Sequence, residues 1–330
     1  MELTLQGGGP GAADAADLAL PLVAVRGARP GPSLFVTAAV HGDEVNGVAV
    51  VHELLAGIDP EVLAGTLLAV PVCNLPAYLA RRRELAEDGD LNRSFPGRAA
   101  GPAGGRLARR LLHTVILPCD RGIDLHTAAE ERVNFPHLRA DLDDPPTAEL
   151  ARAFGWPLLV HDPGPPRSLR RAATAAGVPT IAYEAGSARR FERGAIALGT
   201  RGIRAAMGRF GMLPGDEPTA AGSFPPGPLP GAPFLILESR WLRARRSGLL
   251  DLAVLPGQPV DRGEPVATCW DPLAGTQEEL EAPCDGLVLG LARQPVVDAG
   301  EPVCQVARLE GGDLTRWRGI WQSHGGRFIV

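Results

Sequence analysis

The sequence contains no lysine, since all 33 of its basic residues are arginine. A lysine is needed for a Schiff base, for a pyridoxal phosphate site and for a phosphate loop of the Walker A type, so these three kinds of site are excluded. A G-x-S-x-G nucleophile elbow is also absent. The stretch GGGPG near the start follows no predicted strand, so it does not indicate a dinucleotide-binding loop.

Cysteine is sparse, and its pattern excludes two further classes of protein. No C-x-x-C pair is present, and the number of cysteines is odd. A disulfide framework is therefore not expected in a chain of 330 residues. A zinc finger is excluded because its closely spaced thiolates are missing. The cysteines stand at Cys73, Cys119, Cys269, Cys284 and Cys304.

Long apolar runs and a strong net charge are absent as well. No run approaches the roughly 18 residues that are needed to span a bilayer, and the first residues lack the basic start of a signal peptide. The formal net charge is −5, which gives no electrostatic reason to expect nucleic acid or an acidic membrane as a partner. We therefore expect a cytoplasmic protein that contacts neither nucleic acid nor a membrane.

Through the first two-thirds of the chain, short apolar runs alternate with helix-like stretches. The runs SLFVTAAV, TLLAVPV, RGIDLHT and VPTIAYE are typical of buried strands, and NGVAVVHELLAG and RFERGAIALGTRGIRAAMGRFG are typical of helices. Continuous apolar strands that are interleaved with helices predict an α/β fold whose sheet is covered on both faces.

The pattern changes after residue 212. Residues 213–233 are dense in proline and glycine, which indicates a linker. Residues 234–330 contain short apolar runs separated by turn residues, and two segments, LPGQPVDRGEPVATC and ARQPVVDAGEPVCQV, are similar to each other. We therefore predict an α/β domain over residues 1–212 and a small all-β domain over residues 234–330, built as two halves of a sandwich.

Three polar residues follow the predicted strand SLFVTAAV, in the segment HGDE. His41 and Glu44 lie three apart where a strand runs into a helix, so they can point an imidazole and a carboxylate at one metal ion. Zn²⁺ accepts nitrogen and oxygen ligands at roughly 2.0–2.2 Å, and a catalytic site has three protein ligands. His126 ends another predicted strand, and such strand ends gather on one edge of an open sheet. His126 is therefore the best candidate for the third ligand, with Asp124 as a group that supports it.

Two further segments add groups that are suited to hydrolysis. Residues 74–97 form a long stretch that is rich in arginine and asparagine and poor in apolar periodicity, which is typical of a functional or disordered loop. Arginine binds carboxylates through paired hydrogen bonds. The strand VPTIAYE ends on Glu184, and a carboxylate at a strand end near a metal is a natural general base.

Taken together, these segments resemble the succinylglutamate desuccinylase/aspartoacylase family of the zinc carboxypeptidase superfamily. The resemblance runs through HGDE, N-x-P-A, EDG, DLNR, FPG, DLHT and YEAG in the family's order, and it extends to the C-terminal segments GQPV, RGEPVA, APCDGLVL and AGEPV. It implies a three-layer zinc-carboxypeptidase-like catalytic domain with a central mixed sheet, followed by a small all-β domain of the barrel-sandwich type.

The resemblance also implies roles for single residues. His41, Glu44 and His126 would ligate one Zn²⁺ per chain. Glu184 would activate a water molecule and then pass its proton to the leaving amine.

In the loop, the resemblance implies that Asn92 and Arg93 hold a substrate carboxylate and that an earlier arginine stabilises the oxyanion. Family members often have one more residue between EDG and DLNR, and three consecutive arginines precede this stretch. Counting back with that deletion favours Arg83, and without it Arg82. Arg83 is ranked first.

Three further arginines are candidates for binding an acidic substrate. Arg132 and Arg139 follow the third ligand, and Arg170 lies in PPRSLRRAA. Because an anionic substrate needs cationic partners in its pocket, we expect one or two of them to line it.

These expectations describe a zinc-dependent amidohydrolase that removes an acyl group from an N-acyl amino acid or a similar small amide that carries a carboxylate. A carboxypeptidase for small peptides is an alternative, since the same groups would serve a peptide C-terminus. A binding protein with a degenerate metal site is a third hypothesis, against which the presence of all three ligands and the base argues. The sequence leaves open the acyl group, the amine, the native metal and the oligomeric state, for which a homodimer is one option.

Overall fold

The structure is a computed structural model that describes residues 2–6, 20–86, 88–129, 131–214 and 231–326. The stretch GGGPG and most of the predicted linker, residues 213–233, lie outside the described residues.

Strands form the larger part of the regular structure. The N-terminal part supplies β1 (Glu2–Gln6), β2 (Leu20–Arg26), β3 (Arg29–Ala38), β4 (Ala64–Val70), β5 (Arg121–Ala128), β6 (Arg132–Ala140), β7 (Leu158–His161) and β8 (Thr180–Ser187). The C-terminal part supplies β9 (Phe234–Ile236), β10 (Ser239–Arg243), β11 (Gly248–Leu252), β12 (Pro259–Val260), β13 (Pro265–Trp270), β14 (Gln277–Glu281), β15 (Gly286–Ala292), β16 (Val296–Val297) and β17 (Pro302–Arg308).

In the described part of the chain, the main sheet is mixed and has 13 strands, in the order β1-β2-β4-β3-β5-β8-β6-β15-β17-β10, with β12, β7 and β9 beside it. Its centre is parallel, because β3 pairs in parallel with β4 and β5, and β5 pairs in parallel with β8. The pairs β6–β8 and β6–β15 are antiparallel. The central mixed sheet that the sequence predicts is therefore confirmed.

Helices cover both faces of the sheet. They are α1 (Val45–Ala56), α2 (Leu75–Leu79), α3 (Ala103–Leu111), α4 (Pro145–Phe154), α5 (Leu169–Ala175), α6 (Arg193–Arg209) and α7 (Gly311–Ser323). A 3₁₀ turn spans Leu91–Arg93, and a π-helical turn, Leu112–Ile116, continues α3. Among the described helices, none combines the length and the apolar character that crossing a bilayer requires.

The hydrophobic core is divided by the sheet into two layers, since successive side chains of a strand point to opposite faces. On β3, Val36 packs with apolar residues of α1, α4 and α6, whereas Phe35 packs on the other face with residues of α3 and α5. This arrangement confirms the three-layer α/β architecture. A third apolar cluster fills the C-terminal β structure and includes Val266, Leu280 and Val303.

The C-terminal part is joined to the N-terminal part through strand pairing. Its smaller antiparallel sheet has the order β14-β13-β11-β16, but β15 pairs with β6 and β9 pairs with β7 of the main sheet. The chain then forms α7, a helix that the strand pattern of the sequence does not indicate. The predicted division into residues 1–212 and 234–330 remains a prediction.

The sequence predicts no strand before GGGPG, but β1 lies directly before it. β1 pairs antiparallel with β2 at the edge of the sheet. A dinucleotide-binding loop instead follows a parallel strand inside a βαβ unit. A dinucleotide-binding loop at GGGPG is therefore still not expected. The reason is the antiparallel edge position of β1 and not the lack of a strand.

Close packing between β3 and β5 generates a prediction about stability. Gly122 lies opposite Phe35, and a Cβ atom added at Gly122 would be 1.9 Å from the fully buried Phe35 ring. We expect Gly122→Ala to lower the free energy of unfolding by about 1–3 kcal/mol, because an overpacked core must shift. Equilibrium unfolding in urea measures this difference.

Gly319→Ala in α7 is the matched control, because nothing lies within 4 Å of the Cβ position there. Alanine is the better helix former, so this variant should keep or raise the stability by up to about 1 kcal/mol. Equal stability of the two variants would contradict the packing argument.

Candidate active site

The candidate residues converge because three parallel strands end on the same edge of the sheet. His41 and Glu44 lie in the turn between β3 and α1, and His126 lies near the end of β5. Glu184 on β8 is directly opposite His126 in the strand register. Residues that are more than 140 positions apart in the chain therefore meet at one place.

The Glu44 carboxylate lies between the two imidazoles. Its Oε1 is 2.8 Å from Nδ1 of His41, and its Oε2 is 2.9 Å from Nδ1 of His126. One ligand atom from each of these three buried residues lies within 4.8 Å of the other two. Two imidazole nitrogens and a carboxylate oxygen are the donor set of catalytic zinc sites. The residues present therefore fit a divalent metal ion.

The outer nitrogen of each imidazole is held by a carboxylate. His126 Nε2 is 2.8 Å from Asp124, whose other oxygen accepts the Thr37 hydroxyl at 2.7 Å. His41 Nε2 is 3.1 Å from Asp90. When one ring nitrogen donates its N–H to a carboxylate, the other nitrogen is free to bind a metal. Asp124 is thus placed as the sequence suggests, whereas Asp90 was not among the candidate residues.

Charge coupling in this cluster opposes the effect of burial. Burial raises the pKa of Glu44, but the positive charges of His41 and His126 outweigh it and hold that pKa well below its usual range. Burial lowers the pKa of His126, but Asp124 and Glu44 raise it well above the usual value. The pKa of Asp90 is lowered to about 2, against burial, chiefly by its hydrogen bond to His41. The charges of the carboxylates and imidazoles in this cluster therefore stabilise one another.

A close approach of two chain segments brings Arg83 to this cluster. A Cβ atom on Gly42 would be 2.2 Å from the backbone nitrogen of Tyr78, so only glycine lets α2 pass there. The Gly42 N–H donates to the Arg83 carbonyl at 3.1 Å, and the Arg83 guanidinium donates to Glu44 Oε1 at 2.6 Å. Arg82 is exposed and is not among the residues that line the cavity described below.

A buried asparagine fixes the start of α2 against the same turn. Asn74 is fully buried, accepts the Ala77 N–H at 3.3 Å and donates to the Val40 carbonyl at 3.3 Å. The N-x-P-A segment therefore ties the loop that carries Arg83 to the turn that carries the histidine and glutamate.

Two groups from β6 hold the Glu184 carboxylate. Asn134 donates its side-chain N–H to Glu184 Oε2 at 3.0 Å, and the Arg139 Nε is 3.6 Å from Oε1. Arg139 and Arg170 each place a guanidinium nitrogen 3.2 Å from the same oxygen of Asp162. The Glu184 carboxylate is therefore held by β6 beside the strand that carries His126.

Asn134 is in turn aligned with the C-terminal strands. Four residues lie side by side across neighbouring strands. In order, they are Asn134 of β6, Gly290 of β15, Gln305 of β17 and Trp241 of β10. Residues directly opposite each other in a sheet present their side chains on the same face. A Cβ atom on Gly290 would lie 3.2 Å from both Asn134 Oδ1 and the Trp241 ring. Glycine at this position lets the two side chains pack beside each other.

Of the candidate site residues, all except Arg82 line one cavity of ≈ 240 Å³. They are His41, Glu44, Arg83, Asn92, Arg93, His126, Arg132, Arg139, Arg170 and Glu184. The same wall contains residues that were not among the sequence candidates, notably Thr127, Asn134, Asp162, Trp241 and Gln305. Asn134 and Asp162 lie close to candidate residues in the sequence, but Trp241 and Gln305 lie beyond the predicted linker, where no motif indicates a role.

Residues from two segments complete the rim. Asn92 accepts the Leu169 N–H with its side-chain oxygen at 2.8 Å, which leaves its amide nitrogen available to a ligand. The Arg93 guanidinium is 3.6 Å from Asp90 and is half exposed. Arg132 lies with its guanidinium carbon 5.6 Å from the centre of the Trp241 ring.

A neutral histidine lies beneath this wall. His137 is fully buried, donates from Nδ1 to the Phe135 carbonyl at 2.8 Å, and has no hydrogen-bond partner at Nε2 among the residues that the structure describes. Burial, assisted by the charge of Arg139, lowers the pKa of His137 to about 3. Protonation of this side chain is thus coupled to unfolding.

We expect His137→Gln to make the metal-free protein less sensitive to acid. The pKa of His137 is about 3 in the folded state, below the unfolded value of about 6.5, so its contribution to stability is present above the unfolded pKa and is lost as the pH falls towards the folded one. Between pH 6.5 and 4.5 this loss should reach about 2–3 kcal/mol in the unchanged protein and should be missing in the variant. Glutamine keeps an N–H donor and does not titrate.

Urea unfolding at a series of pH values, with a chelator present, tests this expectation. The comparison uses the pH dependence rather than the stability itself, so a general cost of the substitution cancels. If the free energy of unfolding falls equally with pH in the two proteins, His137 does not contribute to the loss of stability in acid.

Comparison with known proteins gives consistent matches. The succinylglutamate desuccinylase/aspartoacylase catalytic domain family matches residues 30–208. The N-alpha-acetyl-L-2,4-diaminobutyric acid deacetylase of Halomonas elongata is 27% identical over 294 residues, which cover 84% of this chain and 83% of that protein. The crystal structure of a succinylglutamate desuccinylase/aspartoacylase from Rhodobacter sphaeroides has a TM-score of 0.77 at 27% identity and covers 89% of this chain and 90% of that one. The product-bound ectoine utilization protein EutE (DoeB) of Ruegeria pomeroyi shares the fold, with a TM-score of 0.77 at 24% identity, covering 88% and 90% of the two chains.

Proposed function

The chain belongs to the succinylglutamate desuccinylase/aspartoacylase family, which matches more than half of its residues, and we propose that it is a zinc-dependent amidohydrolase. The family makes the protein an enzyme that hydrolyses amide bonds. The proposed substrate is an N-acyl amino acid or a similar small amide that carries a carboxylate. The deacetylase of Halomonas elongata, by its name, acts on an amino acid of this acylated kind.

One observation carries the proposal: three metal-binding side chains and a separate carboxylate converge on one cavity. His41, Glu44 and His126 present the donor set that suits one Zn²⁺ ion per chain, and Glu184 faces the same space. When bound there, the ion supplies a Lewis acid that polarises a carbonyl and makes water more acidic.

The carboxylate of Glu184 is proposed to act as the general base. It takes a proton from the attacking water and later gives it to the nitrogen of the leaving amine, so that one group serves both steps. Asn134 and Arg139 hold the two oxygens from one side, which leaves the carboxylate oriented for proton transfer.

Arg83 is proposed to stabilise the negative charge that develops on the carbonyl oxygen. Its guanidinium already reaches Glu44, so it lies beside the metal ligands. Arg82, the alternative that counting in the sequence leaves open, is exposed. A donor placed where charge develops contributes on the order of 10²–10³ in rate.

The remaining groups are proposed to bind the carboxylate of the substrate and to limit its size. Asn92 and Arg93 lie at the rim of the cavity. A volume of ≈ 240 Å³ suits a small amide, because polypeptide segments need a longer groove. Holding the carboxylate there orients the amide for attack.

The main experiment is Glu184→Gln in the zinc-loaded protein. We expect hydrolysis of N-acyl amino acids to fall by about 10²–10⁴-fold, because general base catalysis is lost, while zinc remains bound at one ion per chain. Release of free amine measures the rate of hydrolysis, and metal analysis after dialysis measures the zinc content. Glu44→Gln is the comparison, since it should release the metal. Unchanged activity of Glu184→Gln would overturn the assignment of the base.

A second experiment separates the two arginines. We expect Arg83→Gln to lower kcat by about 10²-fold or more, whereas Arg82→Gln should change it by less than about threefold, because that side chain is solvated. Steady-state kinetics on one N-acyl amino acid measures both. A loss of activity confined to Arg82→Gln would reverse the assignment.

A further inference from the structure

We infer that a cleft beside α3 binds a small anion with two linked phosphate groups, such as free pyrophosphate or the diphosphate of a nucleotide. The cleft has a volume of ≈ 340 Å³ and shares no described lining residue with the active-site cavity. Binding there is therefore independent of the proposed function. We call it the basic cleft, because four of its lining residues are arginines. In the described part of the chain it is lined by Arg98, Ala99, Arg106, Arg109, Arg110 and His113.

The spacing of basic residues in α3 creates one wall of the basic cleft. Arg106, Arg109, Arg110 and His113 follow one another at intervals of three, one and three residues. They therefore lie on a single face of the helix and of the π-helical turn that continues it. The opposite face packs in the hydrophobic core. Like charges at this spacing repel each other and destabilise a helix, so an anion that binds among them removes a repulsion.

A close contact between two segments creates the other wall. Gly97 has a φ of +84°, and a Cβ atom at this position would be 2.2 Å from the backbone nitrogen of Arg109. Both features require glycine. The next residue, Arg98, donates its backbone N–H to the Gly105 carbonyl at 3.0 Å. The backbone of Arg98 is therefore fixed against α3, and its exposed side chain lines the same cleft as Arg109.

Two arginines of the basic cleft have no acidic partner. Arg98 and Arg109 make no ion pair and no side-chain hydrogen bond with any residue that the structure describes. The chain contains 38 acidic residues against 33 basic ones, and exposed arginines elsewhere are paired, as Arg209 is with Glu149. No acidic residue is among the described residues that line the basic cleft. The charges of Arg98 and Arg109 are therefore left for solvent ions or a ligand to balance.

The chemistry of the basic cleft suits phosphate groups. A guanidinium donates paired, parallel hydrogen bonds to a phosphate, which carries more negative charge and more acceptor oxygens than a carboxylate. Two linked phosphate groups can bind Arg98 and Arg109 together, whereas one carboxylate leaves one of these charges unbalanced. Apart from the His113 imidazole, no aromatic ring is among the described lining residues. A nucleobase therefore has little surface on which to stack, and the phosphate groups carry the affinity.

A small ligand suits the basic cleft better than a second copy of this chain. Its volume lies within the range that is typical of small-molecule sites. In a symmetric dimer the same patch of both copies meets at the interface. Two arginine-rich faces would then lie against each other, and like charges across an interface are costly.

A ligand in the basic cleft would hold α3 against the loop that forms the rim of the active site. Arg98 follows the segment that contains Asn92, and Phe95 of that segment packs in the same core cluster as Leu111 of α3. A ligand that binds the folded chain and not the unfolded chain stabilises the folded one. A diphosphate that bridges Arg98 and Arg109 therefore stabilises the contact between this loop and α3.

Calorimetric titration of the zinc-loaded protein tests the site. Sodium pyrophosphate, ADP, adenosine and malonate are added at constant ionic strength, because salt screens exposed charges. We expect saturable binding of pyrophosphate and ADP with similar affinity, at least about tenfold weaker binding of malonate, and no binding of adenosine. The melting temperature should rise with pyrophosphate. Metal analysis after the titration checks that zinc is retained.

Substitutions separate the basic cleft from the active-site cavity, whose arginines also attract anions. Combining Arg98→Gln with Arg109→Gln should weaken pyrophosphate binding by about 10²-fold or more, because two charged hydrogen-bond donors are lost. Combining Arg98→Lys with Arg109→Lys should give an intermediate affinity, since this variant keeps the charges and lacks the forks. Without ligand, each variant should melt within about 3 °C of the unchanged protein, because exposed substitutions change stability little.

Arg193→Gln combined with Arg209→Gln is the matched control. It removes the same number of charges from α6, which lies on the other face of the sheet, where these arginines pair with Glu53 and Glu149. The affinity for pyrophosphate should change by less than about threefold. An equal loss in this control would reduce the effect to net charge and would overturn the inference.

Three further results would overturn it. They are the lack of saturable pyrophosphate binding, malonate binding as tight as that of pyrophosphate, and pyrophosphate binding that is unchanged in the double glutamine variant, which would place the anion in the active-site cavity. Equal affinities for pyrophosphate and ADP would support the site with a free diphosphate as its ligand. Tighter binding of ADP, lost in the double glutamine variant, would support the site with a nucleotide as the source of the diphosphate.

Discussion

The buried carboxylate of Glu44 is the group on which the rest of the site depends. It is 1% exposed, and it is stable there because each oxygen faces an imidazole and Arg83 donates to it as well. An isolated carboxylate in that position would cost several kcal/mol. The turn after β3, the parallel pairing of β3 with β5, and the loop that ends at Arg83 must therefore all be in place before this charge is compensated. The negative charge of Glu44 is therefore compensated only when these three segments have their folded positions.

A second dependence links the proposed base to the C-terminal strands. Asn134 orients Glu184, and its own position is set by pairing with Gly290 of β15. The wall that contains Trp241 and Gln305 is thus continuous with the strand that holds the base. The residues of the cavity wall and the residues that orient the proposed base therefore share one backbone framework. The C-terminal part contributes to the wall of the cavity, although none of the proposed metal ligands belongs to it.

The sequence predicts the parts of this molecule that are locally encoded. The alternation of apolar runs and helix-like stretches predicts the three-layer fold, and the polar residues at strand ends predict that His41, Glu44 and His126 meet. It does not predict β6, because RVNFPHLRA contains a proline, which argues against a central strand, and has no continuous apolar run. Asn134 and Asp90 were missed since their roles arise from pairing across strands and from a loop contact. Trp241 and Gln305 reach the cavity only through the order of strands in the sheet, and no local pattern specifies that order.

The pairing of β6 with β15 joins residues that are separated by about half of the chain. During synthesis, every proposed metal ligand and the proposed base leave the ribosome well before β15 does, and N-terminal parts generally fold first. A nascent chain can therefore assemble the histidine cluster while the first residues of β6, 132–134, still lack their partner strand and the cavity lacks its far wall. An unpaired strand edge invites pairing with other chains. The last third of the sequence thus serves as the closing step of maturation, which protects that edge and encloses the reactive groups at the same time.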